Sequence, residues 1–212
     1  SRSSSRDGAD LTVDLSIPFG VSIRGGSQHL SFVKDTPCPK CGGGRSAAKC
    51  AVCHGTGKGA PETKEGNVTV PAGAFEGMKL RLHGMGEQGV NGGTPGDLYV
   101  VLHVQEHPFV RREKDDLYLD LPITPLEAFQ GGEVRCPTFD GNYTITIMPH
   151  SQSGRKMRLK GLGVRHADGS GRGDFYAVLQ VMMPTGDSPE VKKACETLEN
   201  AFSRDVRAGV VL

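Results

Sequence analysis

Six cysteines occur in the chain, and four of them stand in a pattern that can do chemistry: Cys38-Pro39-Lys40-Cys41, eight residues, then Cys50-Ala51-Val52-Cys53. Two Cys-x2-Cys pairs of this kind read as facing zinc knuckles. Each pair presents two thiolates to one ion, and four thiolates complete a closed tetrahedral shell around Zn2+ at about 2.3 Å. The glycines that follow each pair (Gly42, Gly43 and Gly44; Gly55 and Gly57) let backbone N–H groups turn toward the sulfurs and spread their negative charge. One Zn2+ per chain, held by Cys38, Cys41, Cys50 and Cys53, is the expectation. Two disulfides in a secreted module are the plainer alternative, but nothing in the chain marks secretion. A redox-active Cys-x2-Cys normally uses one pair beside a βαβ unit, and none is visible here. His54 adjoins Cys53, although four cysteines already fill the shell. Cys136 and Cys195 stand alone and read as small buried hydrophobes.

The elements that carry these cysteines belong to a sequence that says nearly the same thing twice. Asp10-Leu11-Thr12-Val13-Asp14-Leu15-Ser16-Ile17 and Gly25-Gly26 recur at an offset of 106 as Asp116-Leu117-Tyr118-Leu119-Asp120-Leu121-Pro122-Ile123 and Gly131-Gly132. Gly77-x-Lys79-Leu80-Arg81-Leu82-x-Gly84-Met85-Gly86 and Gly96-Asp97-Leu98-Tyr99 recur at an offset of 77, from Gly154 to Gly163 and from Gly173 to Tyr176. The difference, 106 − 77 = 29 residues, is extra chain in the first copy, and the four clustered cysteines lie inside it. Leu11, Val13, Leu15 and Ile17 alternate with polar residues, the period of a strand with one wet face. Thr124-Pro125-Leu126-Glu127 opens a short helix with a cap and a reciprocal acid. Phe19 to Ile23 holds that place in the first copy and is a poorer helix former. Asp140-Gly141 turns a hairpin between Val134–Phe139 and Tyr143–Met148. Its counterparts are Leu30–Val33 and Val68–Val70, so the cysteine module replaces a hairpin tip. The ends of a hairpin lie side by side, and an insert there leaves the core undisturbed if it staples itself.

Composition narrows the function. Thirty glycines, thirteen prolines and no tryptophan point to short strands and turns. With 25 basic and 24 acidic side chains the formal charge is +1, which gives no electrostatic reason for a nucleic-acid or anionic-membrane partner. Even Arg111-Arg112-Glu113-Lys114-Asp115-Asp116 alternates sign. No apolar run approaches the ~20 residues that span a bilayer, so the chain reads as soluble. No nucleophile triad, paired carboxylates or phosphate loop is present, so an enzyme is not expected. The nearest rivals are a thiol–disulfide isomerase working through the cysteines and a zinc-ribbon binding module.

These residues resemble the carboxy-terminal substrate-binding region of DnaJ-type co-chaperones, the forty-kilodalton heat-shock class with a zinc module. The likeness runs over about residues 8–203. It rests on Cys50-x2-Cys53-His54-Gly55-Thr56-Gly57, Val70-Pro71-Ala72-Gly73, Pro95-Gly96-Asp97-Leu98-Tyr99, His107-Pro108-Phe109 and Gly131-Gly132-Glu133-Val134 with Pro137-Thr138-Phe139-Asp140-Gly141. The resemblance implies a mainly β fold: two tandem, similar β-sandwich-like domains, a zinc-knuckle module in the first, and a C-terminal dimerisation helix. It implies that unfolded polypeptides are held as an added strand, with an apolar pocket of Leu11, Leu30, Phe32, Val68 and Val100, and passed to a DnaK-type seventy-kilodalton chaperone in the cytoplasm or another reducing compartment. Ordinary core packing is the other reading of those five residues. A family leucine aligns with Gly66, which widens the pocket or shifts the contact to Val68. The family carries four Cys-x2-Cys repeats and two ions; two repeats are here, with Arg45 at a family glycine, and they resemble the outer pair. The His-Pro-Asp signature of the J domain is absent, since Phe109 follows His107-Pro108, so this chain alone is not expected to stimulate the partner's ATPase.

The boundaries expected are a linker or remnant at 1–8, a first β-domain at 9–34 and 64–107, the zinc insert at 35–63, a second β-domain at 110–185, a helix at 187–204 and a tail at 205–212. Ser188-Pro189-Glu190 caps that helix, and Val191, Ala194, Cys195, Leu198, Ala201 and Phe202 form an apolar stripe. The stripe either folds back on its own domain or, following the resemblance, makes a homodimer through Val191, Cys195, Leu198 and Phe202.

Overall fold

The computed structural model describes residues 5–43, 49–90, 92–166, 169–203 and 205–208. Arg45 and the glycine at 44 lie outside the described residues, as do 1–4 of the expected linker, residue 204 of the expected helix and 209–212 of the tail.

The first repeat runs β1 (Leu11–Ile17), α1 (Phe19–Arg24), β2 (Gly26–Pro37), β3 (Lys58–Val70), β4 (Lys79–Leu82) and β5 (Leu98–Val104). β1 pairs in parallel with β5 from Leu11↔Leu98 to Ile17↔Val104, and β4 closes the far side of β5. β2 and β3 form a separate hairpin that packs over this sheet. The inward residues of both layers (Ile17, Leu30, Phe32, Val68, Val70, Leu98, Val100 and Leu102) make one buried core. Alternation put them there, because every second side chain of a strand faces the same way.

The second repeat follows the same path. β7 (Asp116–Ile123), α2 (Pro125–Gln130), β8 (Gly132–Thr138), β9 (Gly141–Ile147), β10 (Lys156–Leu159) and β11 (Phe175–Val181) repeat the order, with β7 and β11 again parallel. One strand is additional: β6 (Val110–Glu113) pairs with β7 on the side away from β11. The last element is α3 (Pro189–Glu199), with Ser188 accepting the Val191 N–H as its cap. The helix has 11 residues, shorter than the stripe, so Ala201 and Phe202 lie past its end.

Two repeated signatures now have a physical reason. Gly25 and Gly131 end α1 and α2 at φ of 75° and 71°. A Cβ on either would meet backbone, 2.8 Å from the Ala72 nitrogen in one case and 2.6 Å from the Ile147 oxygen in the other. Asp97 accepts the Gly84 N–H at 2.8 Å and pairs with Arg81, while Asp174 does the same with Gly161 and Arg158. These bonds to the charged form, the glycine N–H first, hold both carboxyls below their ordinary range.

Two elements differ from the sequence expectation. α1 forms despite Gly20, Val21 and Ile23, because Ile23 is buried against the second repeat's core and Ser22 Oγ donates to the Phe19 carbonyl at 2.7 Å. Tertiary burial outweighs a propensity deficit of a few tenths of a kcal/mol per residue, roughly. The β2–β3 ladder also continues far past Val33, to Pro37↔Lys58 with an irregularity at Asp35–Pro37. Its distal residues are mostly polar on both faces and carry no alternation to read.

Candidate functional site

The hairpin delivers the cysteines. Past Pro37 and before Lys58 the two strands give way to the knuckles, and Cys38 donates its N–H to the Gly57 carbonyl at 3.0 Å, closing the base of the module. Lys58 Nζ bridges Asp35 at 2.7 Å and Glu87 at 3.0 Å, tying that base to the loop after β4. Cys38, Cys41, Cys50 and Cys53 place their sulfurs within 4.8 Å of one another. Cys38 and Cys50 are 3.9 Å apart and Cys41 and Cys53 3.7 Å, each contact joining one knuckle to the other. Four sulfurs at about 2.3 Å from a common tetrahedral centre stand about 3.8 Å apart, so the donor set fits a metal ion. The same separations are nearly twice a disulfide bond of about 2.05 Å. None of the six cysteines is joined in a disulfide; Cys136 is buried as expected, whereas Cys195 is only half-buried.

Backbone N–H groups favour the thiolate at Cys50 and Cys53. N–H groups of Cys53 and Val52 draw the Cys50 thiol down to about 6. At Cys53 lost hydration works against ionisation, yet the Gly57 and Gly55 N–H groups leave that thiol below its usual value. Gly57 N–H reaches Cys53 Sγ at 3.3 Å, the role expected of the glycines. Cys41 is pushed up to about 12, first by lost hydration and then by hydrogen bonds with the neighbouring sulfurs. A divalent cation relieves that crowding.

The five residues expected to line an apolar pocket all belong to the first core. Leu30 and Phe32 are 4% and 5% exposed, Val68 and Val100 are buried, and Leu11 is half-buried on β1. In the free chain Phe32 is therefore a core side chain as well as a neighbour of the sheet edge. The edges themselves are the more telling feature. Among the described residues β1 pairs with β5 alone and β2 with β3 alone, so each keeps one open edge. The two repeats differ at this point. From Ala9 and Asp115 onward their backbones follow one path, with Ala9 accepting from Glu87 N–H and Asp115 from Val164 N–H. Before it they part: Lys114 turns at φ 58° and sends β6 back along β7. In the first repeat the chain goes the other way, Arg6 bridging to Val90 and Asp7 accepting from Thr94. The edge that β6 covers in one copy is open in the other among the described residues.

At the other end of the molecule Val191, Ala194, Cys195 and Leu198 of α3 line an apolar groove with Leu126, Met182 and Met183. Leu198 stays half exposed, and Phe202 is 60% exposed and lies outside the groove lining. No residue of α3 is buried.

With this geometry in place, likeness to known proteins is informative. A family model described as DnaJ C terminal domain matches residues 11–184. Chaperone protein DnaJ 2 of Aromatoleum aromaticum is 33% identical over 244 residues, covering 96% of this chain and 65% of that protein. Chaperone protein DnaJ of Bacillus licheniformis is 42% identical over 226 residues, covering 85% of this chain and 60% of the relative. The protein of the same name from Bacillus mycoides is 45% identical over 137 residues, covering 65% of this chain and 37% of the relative. The chain thus spans less than two thirds of the length of each.

Proposed function

The chain belongs to the DnaJ C-terminal domain family, and from that premise we propose that it is the client-binding part of a co-chaperone, which holds unfolded polypeptides as an added strand between the open edges of β1 and β2. Main-chain hydrogen bonds supply affinity that does not depend on sequence, and apolar side chains beneath supply preference. The observation that carries this reading is the difference between the repeats. An open strand edge is a liability that proteins normally cover, and among the described residues β6 covers the first half of the β7 edge in one copy while the matching β1 edge is unpaired in the other, with β2 and β8 each open on one side. Leu11, Leu30, Phe32, Val68 and Val100 form the apolar bed under the site. The two domains are residues 9–34 with 64–107, and 110–185.

The ion is Zn2+, one per chain, closed off by four thiolates and structural in role. The module at 35–63 stiffens the hairpin whose β2 edge receives the client. Held client passes to a DnaK-type seventy-kilodalton chaperone, in the cytoplasm or another reducing compartment, where the six cysteines stay out of disulfides. Among the described residues no helix is long and apolar enough to cross a membrane. α3 makes the homodimer: an 11-residue helix is marginal alone and its stripe is only half covered. A second copy that lays Val191, Cys195, Leu198 and Phe202 against the apolar groove completes that burial and joins two weak client sites, which gain by effective concentration.

Deleting the chain from Ser188 onward tests the assembly and the holding role together. The full chain is expected to sediment as a dimer and to suppress aggregation of a chemically denatured protein. The deletion is expected to halve the mass and weaken suppression far more than it weakens single-peptide binding. A full chain that is monomeric at tens of micromolar, or that leaves aggregation unchanged, would overturn the reading.

A further inference from the structure

The chain leaves the first repeat through His107-Pro108-Phe109, and the ring of His107 is built into the joint. Its Nδ1 lies 3.2 Å from the Phe109 nitrogen and 3.1 Å from the Val110 nitrogen, and it accepts both N–H groups. Val110 is the first residue of β6, and the Phe109 carbonyl accepts the Asp120 N–H of β7 at 2.9 Å. One nitrogen atom thus fixes the point from which β6 runs along β7. The same ring meets a phenylalanine of each repeat, with centroids 5.8 Å from Phe19 on α1 and 6.1 Å from Phe139 at the tip between β8 and β9. The offset of 77 puts Pro184 in the matching place of the second repeat, so the arrangement belongs to the joint alone.

Two donors on one nitrogen leave no place for a proton there. A neutral imidazole accepts at one nitrogen and carries its hydrogen on the other, whereas imidazolium donates from both. A proton on Nδ1 turns one N–H against two others and leaves both main-chain donors without an acceptor. Histidine is the side chain that takes up a proton in the mildly acidic range. The charged groups of the elements packed around the ring are engaged elsewhere. Arg24 on α1 donates to the Phe139 carbonyl, and Arg112 on β6 to those of Gly73 and Ala74. Arg111 pairs with Glu113 and Asp120, and Asp140 pairs with Arg172. Glu76 faces His103 and accepts the Val104 N–H, while Glu106, just before the ring, is exposed. Among the described residues no carboxylate bonds the ring to hold a charge on it.

We propose that neutral His107 is an acid-sensitive latch of the joint: a proton on Nδ1 releases the start of β6 and loosens the aromatic contact between Phe19 and Phe139. Acid then frees the placement of one repeat against the other while both cores stay folded. The latch does not depend on client binding.

The test uses the full metal-loaded chain. Ring-nitrogen NMR at about pH 7.5 is expected to find the His107 proton on Nε2; a proton on Nδ1 overturns the latch without any substitution. Between about pH 7.5 and about pH 5.5, the Val110 and Asp120 amides, corrected for intrinsic exchange, are expected to lose about fivefold or more of their protection. The Leu117 amide, bonded to the Asp174 carbonyl on the other side of β7, is expected to keep its protection. His107→Asn retains an acceptor at that place and does not titrate, so its protection is expected to stay within about twofold across the range. His107→Leu, with no acceptor, is expected to show the low protection at both ends. Protection at Val110 and Asp120 that ignores pH in the native chain, or that falls as far in His107→Asn, overturns the proposal. A matching fall at Leu117 means that the whole domain opens, and overturns it too.

Discussion

His103 shows how a single residue makes the repeats chemically unequal. Its Nε2 lies 3.0 Å from Asp14 and its Nδ1 2.8 Å from Glu76, so both ring nitrogens face carboxylates and the charged imidazolium satisfies both. Hydrogen bonds to Asp14 and then Glu76 raise its pKa above the ordinary value. The second repeat has Gln180 in that place, donating to Asp120, and Ser153 where Glu76 stands. A group whose folded pKa is raised stabilises the fold fully below its unfolded pKa of about 6.5, and that contribution is lost as pH rises through the folded value. Urea midpoints taken between pH 6 and pH 9 should therefore fall in the native chain and fall less in His103→Gln. Equal slopes would show that the cluster contributes nothing. This cluster was not legible in the sequence, because Asp14, Glu76 and His103 are far apart along it and alternation marks them only as wet-face residues. The cysteines were legible, because two knuckles are local and the spacing alone brings their sulfurs together.

The metal hairpin is an element stapled at one end and packed at the other. Leu30, Phe32, Val68 and Val70 fix its root in the first core, whereas Ser31 and the stretch from Glu62 to Glu65 are exposed. Chelation under reducing conditions should abolish amide protection across 38–43 and 49–57, because little but the ion and the ladder below it orders the knuckles. Protection in β1, β5, β7 and β11 should survive, measured by hydrogen exchange of the same sample. Loss of protection in β7 and β11 as well would mean that the ion supports both cores. The position of the insert on a hairpin was readable from the two offsets. The length of the ladder was not, since polar residues on both faces leave pairing without a hydrophobic trace. The helix α1 escaped the propensity reading for the opposite reason: Ile23 gains its stability from a core that begins nearly a hundred residues later.

At the scale of the whole molecule the repeats are docked rather than strung. Phe19 and Ile23 of the first repeat pack with the core of the second, and Phe19 lies 5.7 Å from the Phe139 ring. Arg112 donates to the Gly73 and Ala74 carbonyls, at 2.7 Å to the latter, and burial lowers its pKa. In the sequence this arginine sits in a mixed-charge run that reads as a solvated face, and only the docking reveals its partners. That arrangement fixes the open edges of β1 and β2 relative to the groove beside α3, so in a dimer two client sites would hold a set separation. Client capture by backbone pairing is the central proposal for this molecule. The measurement that tests it most directly follows backbone amide signals of the metal-loaded chain while an aromatic-containing client peptide is added, beside a twin with identical side chains but N-methyl groups on alternate amides. The parent peptide should perturb β1 and β2, leave β7 to β9 unchanged and bind at least about tenfold tighter than the twin, since each lost main-chain hydrogen bond costs ~0.5–1.5 kcal/mol. A twin that binds as tightly as its parent, or perturbations confined to the second repeat, would contradict strand addition at this edge.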